Sequence, residues 1–505
     1  MKQLFYSVFF TLFCSLSFAQ EITLPTLSKQ EMYADFDTLI HTLRDVSPQA
    51  DVRKAITGVD LETEWGQLRK KIETISTINE FVMLIRQAIT FCQDGHTSFL
   101  RTDFFDDKKE FLSFGGSEKA YNLLPLYDKI VLTATKNNFD IKLNYLQGEY
   151  YNIVPFTYKK QVYPSGLKLL SCNGVPVHEY VQKLVGLKSS MRWDFSNKRY
   201  YSTTFYKHSE LSITDSLQLT FQDKKKNLFT ATYSINEPLQ FTKTIDTQQD
   251  TTKKVEYIAK HKLLYIRVPS MNTKHIKYYT DGILTHSKNK KIEKVVIDVR
   301  DNGGGSDYVW TAILKQLLHK SISYEDLMLC NDNPRIRKLF EKDSTIQWKK
   351  YVPSFLPTSS YAVYYESAVN EVKPDSSSIG FEGRIYVLQN ENIYSSTGAL
   401  TAIAALSDQI VNIGLPTNRL LGKGISPFIF ELPISKIVYR VEPVIDFMNT
   451  KTAEDIFHDK VELPISYSID EYLDYLTYKG KHYTTDYLLK KDKLFKEVLK
   501  QPKAN

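Results

Sequence analysis

The sequence predicts an α/β protein, and three observations carry that reading. Beyond about Lys254, short apolar β-branched strands alternate with helix-compatible stretches. Two of these strands end in turns that bear chemistry, Gly303-Gly304-Gly305 after one and Ser395-Ser396-Thr397 after the other. The N-terminal third carries helix-start signals of a different kind, which sets it apart as a helical region.

The helical region is read first. Ser28-Lys29-Gln30-Glu31 is a capping box followed by Met32, Phe36, Leu39, Ile40 and Leu43 at helical spacing. Thr77-Ile78-Asn79-Glu80 opens a second helix with Phe81, Leu84, Ile85, Ala88 and Ile89 on one face. That helix runs out at Asp94-Gly95, just before His96. From about Lys119 to Leu184 the pattern changes to short alternating strands. Within it, an Asn173-Gly174 turn joins two strands, and a helix-like segment from Val177 to Leu184 follows. Such a β-rich unit is either one hairpin in a small domain or a module that captures an extended peptide at its edge. Gly186 to about Lys254 reads as a connector with further strands.

In the α/β region Lys262 to Val268, Lys294 to Val299, Arg384 to Gln389 and Ile410 to Ile413 are predicted strands. Tyr308 to Leu318 and Gly398 to Leu406 are the helices between them. A mostly parallel sheet covered by helices binds its ligands at the carboxyl ends of its strands, where both turns lie. The glycine run lets backbone N–H groups face an anion, either a phosphate or the oxyanion of a tetrahedral intermediate. It fits neither G-x-x-x-x-G-K-[ST] nor G-x-G-x-x-G, which disfavours phosphate. At the second turn a hydroxyl at a helix start is suited to a nucleophile, or it simply caps the helix. Position alone does not choose among Ser395, Ser396 and Thr397.

Composition bounds the rest. The chain has 505 residues, 42% hydrophobic and 24% charged, with a net charge of +7 spread over short solvated runs. No basic stripe argues for nucleic acid. Met1-Lys2, the apolar run from Leu4 to Phe18 and the small residues before Gln20 form the layout of a secretory signal peptide. No later segment is long enough to span a membrane, so the mature chain is expected to be exported, periplasmic or extracellular. Cys92, Cys172 and Cys330 are expected as buried apolar residues rather than disulfides or zinc ligands. Nothing resembles a metal-ligand cluster, and no cofactor is expected. The oligomeric state is not written in the sequence.

The ordered combination of Asp94-Gly95-His96-Thr97, Asn173-Gly174, Leu264-Tyr265-Ile266-Arg267-Val268, Asp298 to Gly304, the serine turn and Gly414-Leu415-Pro416-Thr417 resembles the tail-specific and tricorn-type serine peptidases. The resemblance spans roughly Asp94 to Leu463. It implies a ClpP/crotonase-like catalytic core with an N-terminal helical domain and a PDZ-like β-rich module. The expected division is 1–19 signal peptide, 20–118 helical domain, 119–190 PDZ-like module, 191–254 connector and 255–505 peptidase core with C-terminal helices. The family frame selects Ser395 as nucleophile, with the N–H groups of Ser396 and of Gly303 or Gly304 holding the oxyanion. Its substrate would be a protein or peptide, cleaved through an acyl-enzyme.

The resemblance supplies two candidate bases. Leu421-Gly422-Lys423-Gly424 is similar to the lysine turn of tail-specific proteases, and Asp94-Gly95-His96-Thr97 to the histidine element of tricorn-type members. His96 is favoured, because an imidazole titrates near neutrality without the desolvation a lysine needs. Tricorn-type members orient the base with a glutamate. Aligned on Asp455 that slot falls on Met448, while Glu442, Asp446 and Glu454 lie out of frame. A competing expectation is therefore a binding protein on the same scaffold. An esterase or lactamase is disfavoured by the absence of G-x-S-x-G and S-x-x-K at the serine.

Overall fold

A computed structural model describes residues 22–502, apart from 135–142, 189–190, 203–215, 235–238, 242–250, 326, 343, 345, 351–352, 357–360, 366–369, 418–427, 449 and 457–460. Both capping boxes form as expected. The helix Lys29–Val46 begins with Ser28 and Glu31 satisfying each other's backbone N–H, and Ile78–Thr90 begins likewise with Thr77 and Glu80. The apolar stripes of the two helices are buried together with Leu61, Trp65 and Leu68 of the helix Leu61–Lys71.

A further helix, Glu118–Ala134, occupies the start of the stretch read as strands. It buries Ala120, Leu123, Leu124, Tyr127 and Val131, a helical spacing that Pro125 in its interior and the β-branched Ile130 and Val131 obscured. The helical region therefore runs beyond residue 118. It also recruits distant chain. The hairpin Phe428–Glu431/Val438–Val441 packs Leu432, Ile437, Tyr439 and Val441 into the same cluster, where Met328, Cys330 and Tyr364 join them. The carboxylate of Asp35 accepts hydrogen bonds from the N–H groups of Ile434 and Ser435, pinning the hairpin turn to the first helix. Met328, Cys330, Ile336, Phe340, Ala362, Tyr364 and the hairpin 428–441 thus pack with the helical cluster, although the sequence division assigned them to the peptidase core.

The β-rich module also exceeds its expected bounds. Its sheet runs in the order Leu228–Ser234, Ser216–Gln222, Lys168–Cys172, Glu149–Asn152, Leu143–Leu146, with Val175–Pro176 paired to Lys168–Cys172 across the Asn173-Gly174 turn. The helix Val177–Gln182 follows as read. Two strands assigned to the connector are therefore integral to this sheet. Tyr150, Leu169, Leu217, Leu219 and Ala231 fill its core.

The α/β unit is a six-stranded sheet in the order Lys254–Ile258, Leu263–Arg267, Lys294–Asp298, Arg384–Gln389, Ile410–Gly414, Leu463–Pro464. The first strand is antiparallel and the others are parallel. Such strands are buried on both faces, which is why they read as continuous apolar runs. Val295, Ile297, Ile385 and Val387 face the helices Ile276–Ser287, Asp307–Leu317 and Ser396–Ala404. Val296, Tyr386 and Leu388 alternate to the other face, covered by the C-terminal helices through Leu488, Leu494, Phe495 and Val498. Cys92, Cys172 and Cys330 are buried free thiols, each pushed upward in pKa chiefly by burial. Among the described residues no helix is long and apolar enough to cross a membrane.

Candidate active site

The site is assembled at the carboxyl ends of two adjacent parallel strands. After Asp298 the chain turns through Arg300 and Asp301 into the glycine run, and after Gln389 it turns into the serine. The two turns are tied by backbone, with Val299 N–H donating to Leu388 O (3.0 Å) and Tyr394 N–H to Asn302 O (3.2 Å). Asn302 is fully buried and donates through Nδ2 to Val268 O (2.9 Å) on the neighbouring strand.

Ser395 sits at the N-cap of the helix Ser396–Ala404 with φ 54° and ψ −127°, a left-handed backbone uncommon for any side chain. Its hydroxyl caps nothing, so the capping reading of this residue does not hold. Ser395 is half-buried, whereas Ser396 and Thr397 are buried with their hydroxyls turned away from solvent. Only the first of the three hydroxyls is therefore accessible.

Gly304 lies against this turn. A Cβ there would stand 2.7 Å from Tyr394 O and 2.8 Å from Ser395 Cβ, and its φ of +105° also favours glycine. The N–H of Gly304 donates to Asn302 Oδ1 (2.9 Å), a bond that holds the loop shape but occupies that donor. Gly303 opens onto free space, with nothing within 4 Å of a built Cβ. Of the two glycines the sequence offered, Gly304 has its N–H engaged by Asn302, and Gly303 is the one beside open space.

His96 arrives from the helical region. The strand Ser98–Phe99 pairs antiparallel with Val438–Val441 in the register Ser98↔Arg440 and Phe99↔Tyr439. Continuing that register by two residues sets His96 opposite Glu442. Nδ1 of His96 is 3.1 Å from Oε2 of Glu442. Glu442 N–H donates to Thr97 Oγ1 (3.0 Å), and Thr97 Oγ1 donates to Asp94 Oδ2 (2.8 Å). Arg440 holds the same corner through Ser98 Oγ (2.8 Å) and Gly95 O (3.1 Å). The imidazole lies 5.2 Å, centroid to centroid, from the ring of Tyr394, the residue before Ser395. A Cβ at Gly95 would come within 2.6 Å of the Tyr394 hydroxyl, so this approach requires glycine.

Electrostatics bind this pair. Burial of the imidazole disfavours its cation, but contact with Glu442 and the charge of Asp94 outweigh burial and hold its pKa above the ordinary value. Burial pushes the Glu442 carboxyl up to about 7, with Asp94 adding to the rise and His96 opposing it.

The expected glutamate slot is thereby corrected. Met448 is not the counterpart, since Glu442, which fixed spacing from Asp455 left out of frame, is the carboxylate beside His96. The signal that finds it is pairing register rather than spacing. Lys423 lies outside the described residues. Beside the glycine run, a cavity of about 1150 Å³ separates the β-rich module from the core, lined by Tyr145, Gly303, Gly304, Asn390, Tyr467 and Tyr483 among others.

Two outcomes follow from this geometry. Gly304→Ala is expected to lower stability by about 1–3 kcal/mol, and Gly303→Ala by no more than about 0.5 kcal/mol, read from urea unfolding. A buried carboxyl raised from 4.5 to about 7 contributes stability below its unfolded value that is lost as pH rises through 7. Glu442→Gln is therefore expected to raise stability at pH 8, on the order of 1–3 kcal/mol, with the gain narrowing towards pH 5. Thermal unfolding at both pH values checks this.

Comparison with known proteins agrees with the geometry. No curated protein is significantly similar to the chain in sequence. Mature CPAF complexed with lactacystin shares the fold, with 12% identity, 89% of this chain and 97% of that chain covered, and a TM-score of 0.53. Mature CPAF alone superposes equally, at 12% identity over 89% of this chain and 96% of that chain, also with a TM-score of 0.53. Residues 262–445, which include both turns and Glu442, match the model of Peptidase family S41. Over that stretch the chain is thus similar to Peptidase family S41, which supports a serine-type peptidase.

Proposed function

We propose that the chain is an exported endopeptidase that cleaves unfolded or C-terminal protein segments through an acyl-enzyme on Ser395. The observation that carries this is the strained, accessible Ser395 beside the glycine loop, with the His96–Glu442 pair one residue away. Glu442 holds Nδ1 of His96, so that Nε2 serves as the base for the Ser395 hydroxyl. As the serine attacks, the carbonyl oxygen gains charge and is met by the N–H groups of Gly303 and Ser396 at the helix start. His96 then returns the proton to the leaving amine, and water hydrolyses the acyl-enzyme by the reverse path.

The α/β unit acts as a ClpP/crotonase-like core. The β-rich sheet acts as a PDZ-like module that takes an extended chain along an edge strand, and the cavity between them leads that chain to the glycine loop. Export rests on the signal-peptide layout of residues 1–19, which lie outside the described residues. The reading as a weakly active or inactive protein that binds peptides or hydrophobic ligands rested on a missing glutamate and on the 13% aromatic content, and Glu442 beside His96 argues against the first of these.

The test is hydrolysis of casein by the chain from Gln20 onward. Ser395→Ala and His96→Ala are each expected to lower turnover by at least about 10³-fold, while Ser396→Ala retains most of it. Turnover surviving in Ser395→Ala but lost in Ser396→Ala would move the nucleophile and overturn the assignment.

A further inference from the structure

The C-terminal segment reaches the back of the glycine loop and grips it at two adjacent residues. Arg300 is buried and makes a bidentate pair with Asp298 on the strand, Nε to Oδ1 at 2.9 Å and Nη2 to Oδ2 at 2.6 Å. Its remaining nitrogen, Nη1, donates to Oδ2 of Asp492 at 2.7 Å. Asp492 is buried as well, and its other oxygen caps the helix Lys493–Lys500 by accepting from Phe495 N–H at 2.8 Å. One carboxylate thus joins the last helix of the chain to the turn that leads into Gly303.

The second grip is on Asp301, whose φ of 61° makes it the strained hinge of that turn. Its carboxylate accepts from Asn390 Nδ2 and Asn392 Nδ2, both at 2.8 Å, and from the hydroxyl of Tyr483 at 3.3 Å. The ring of Tyr483 lies under two guanidinium groups, 4.1 Å from Arg267 and 5.1 Å from Arg300. Asn390 and Asn392 belong to the turn that ends in Ser395. Asp301 is therefore where the glycine loop, the serine turn and the C-terminal segment meet.

An oxyanion donor is useful only when its direction is fixed before charge develops, because reorientation during the reaction forfeits the stabilisation. The glycines supply no side chain to fix themselves. Asn302 fixes them from the front through Gly304 N–H and Val268 O, and Arg300 and Asp301 fix the turn behind it, both held from one side by Asp298 and the asparagines and from the other by the C-terminal segment. We propose that Asp492 and Tyr483 are positioning residues for the reaction, holding Arg300 and Asp301 so that the Gly303 N–H stays aimed at the carbonyl attacked by Ser395. This rests on the peptidase reading of Ser395 and assigns a positioning role to a segment beyond the family-matched residues 262–445.

Asp492→Asn isolates the effect. Asparagine keeps an oxygen for the Phe495 cap but sets an N–H₂ group against Arg300, donor facing donor. Tyr483→Phe keeps the ring under both guanidiniums and removes the hydroxyl's bonds to Asp301 and Tyr475. Val498→Ala, on the same helix with an apolar role alone, is the control for lost packing. In the full mature chain acting on casein, both polar variants are expected to lower kcat about tenfold with KM within twofold of wild type. Val498→Ala is expected to lower the unfolding temperature while leaving kcat within twofold. Hydrogen exchange supplies a readout that needs no activity, with amides of 300–306 expected to exchange about tenfold faster in Asp492→Asn and those of 294–298 unchanged. Wild-type kcat in both polar variants, or unchanged exchange at 300–306, would overturn the proposal. A wild-type chain without Ser395-dependent hydrolysis, yet with faster loop exchange in Asp492→Asn, would sink the peptidase mechanism and leave the positioning contact standing.

Discussion

Two residue pairs in the register of one short antiparallel ladder, Ser98 against Arg440 and Phe99 against Tyr439, decide whether His96 and Glu442 meet. His96 and Glu442 are separated by most of the sequence and meet because they extend that ladder by one step on the same face. A slip of one residue would turn one of them to the opposite face. The register is held from outside the site, by the apolar face of the hairpin against the N-terminal helices and by Asp35 on the backbone of its turn. The helical region is in this sense part of the proposed catalytic apparatus, although Ser395 stands at the end of a strand in a different sheet.

The α/β unit contributes the opposite half by a different route. Its strands are rigid because they are covered on both faces, so turns at their ends can be held in conformations a free chain would avoid. Ser395 and Asp301 both have positive φ, and each is flanked by buried polar contacts that leave it no alternative. The buried charges follow the same logic. Asp298, between Arg300 and Arg267, is held below the usual carboxylate range despite its burial, so the loop rests on a permanently charged network. Glu442 is the reverse case, a buried carboxyl that costs stability and is offset chiefly by His96, with the Val444 backbone adding to it.

Much of this was legible in the residues because it is local. Capping boxes, continuous apolar strands and a glycine run after Asp298 are patterns within a dozen residues, and the helices and strands they predict are present. What escaped was non-local or masked by a locally unfavourable residue. Pro125 hid a helix whose stripe of Leu123, Leu124 and Tyr127 is held by tertiary burial. Strands 216–222 and 228–234 gave no sign of which sheet they join, since sheet membership depends on a partner far along the chain. Glu442 was sought at a fixed offset from Asp455, whereas its position is set by pairing with residues near His96 and is indifferent to the length of the following loop.

The central claim is that the base acting on Ser395 is an imidazole held by Glu442. The rate at which a fluorophosphonate acylates the folded mature chain, followed across pH by mass spectrometry of the modified peptide, tests it most directly. The account predicts an adduct on Ser395 whose rate rises with pH as one group with pKa above the ordinary histidine value of 6.5 loses its proton, with the midpoint falling in Glu442→Gln. An adduct on Ser396, or a rate that ignores both pH and Glu442, would contradict it.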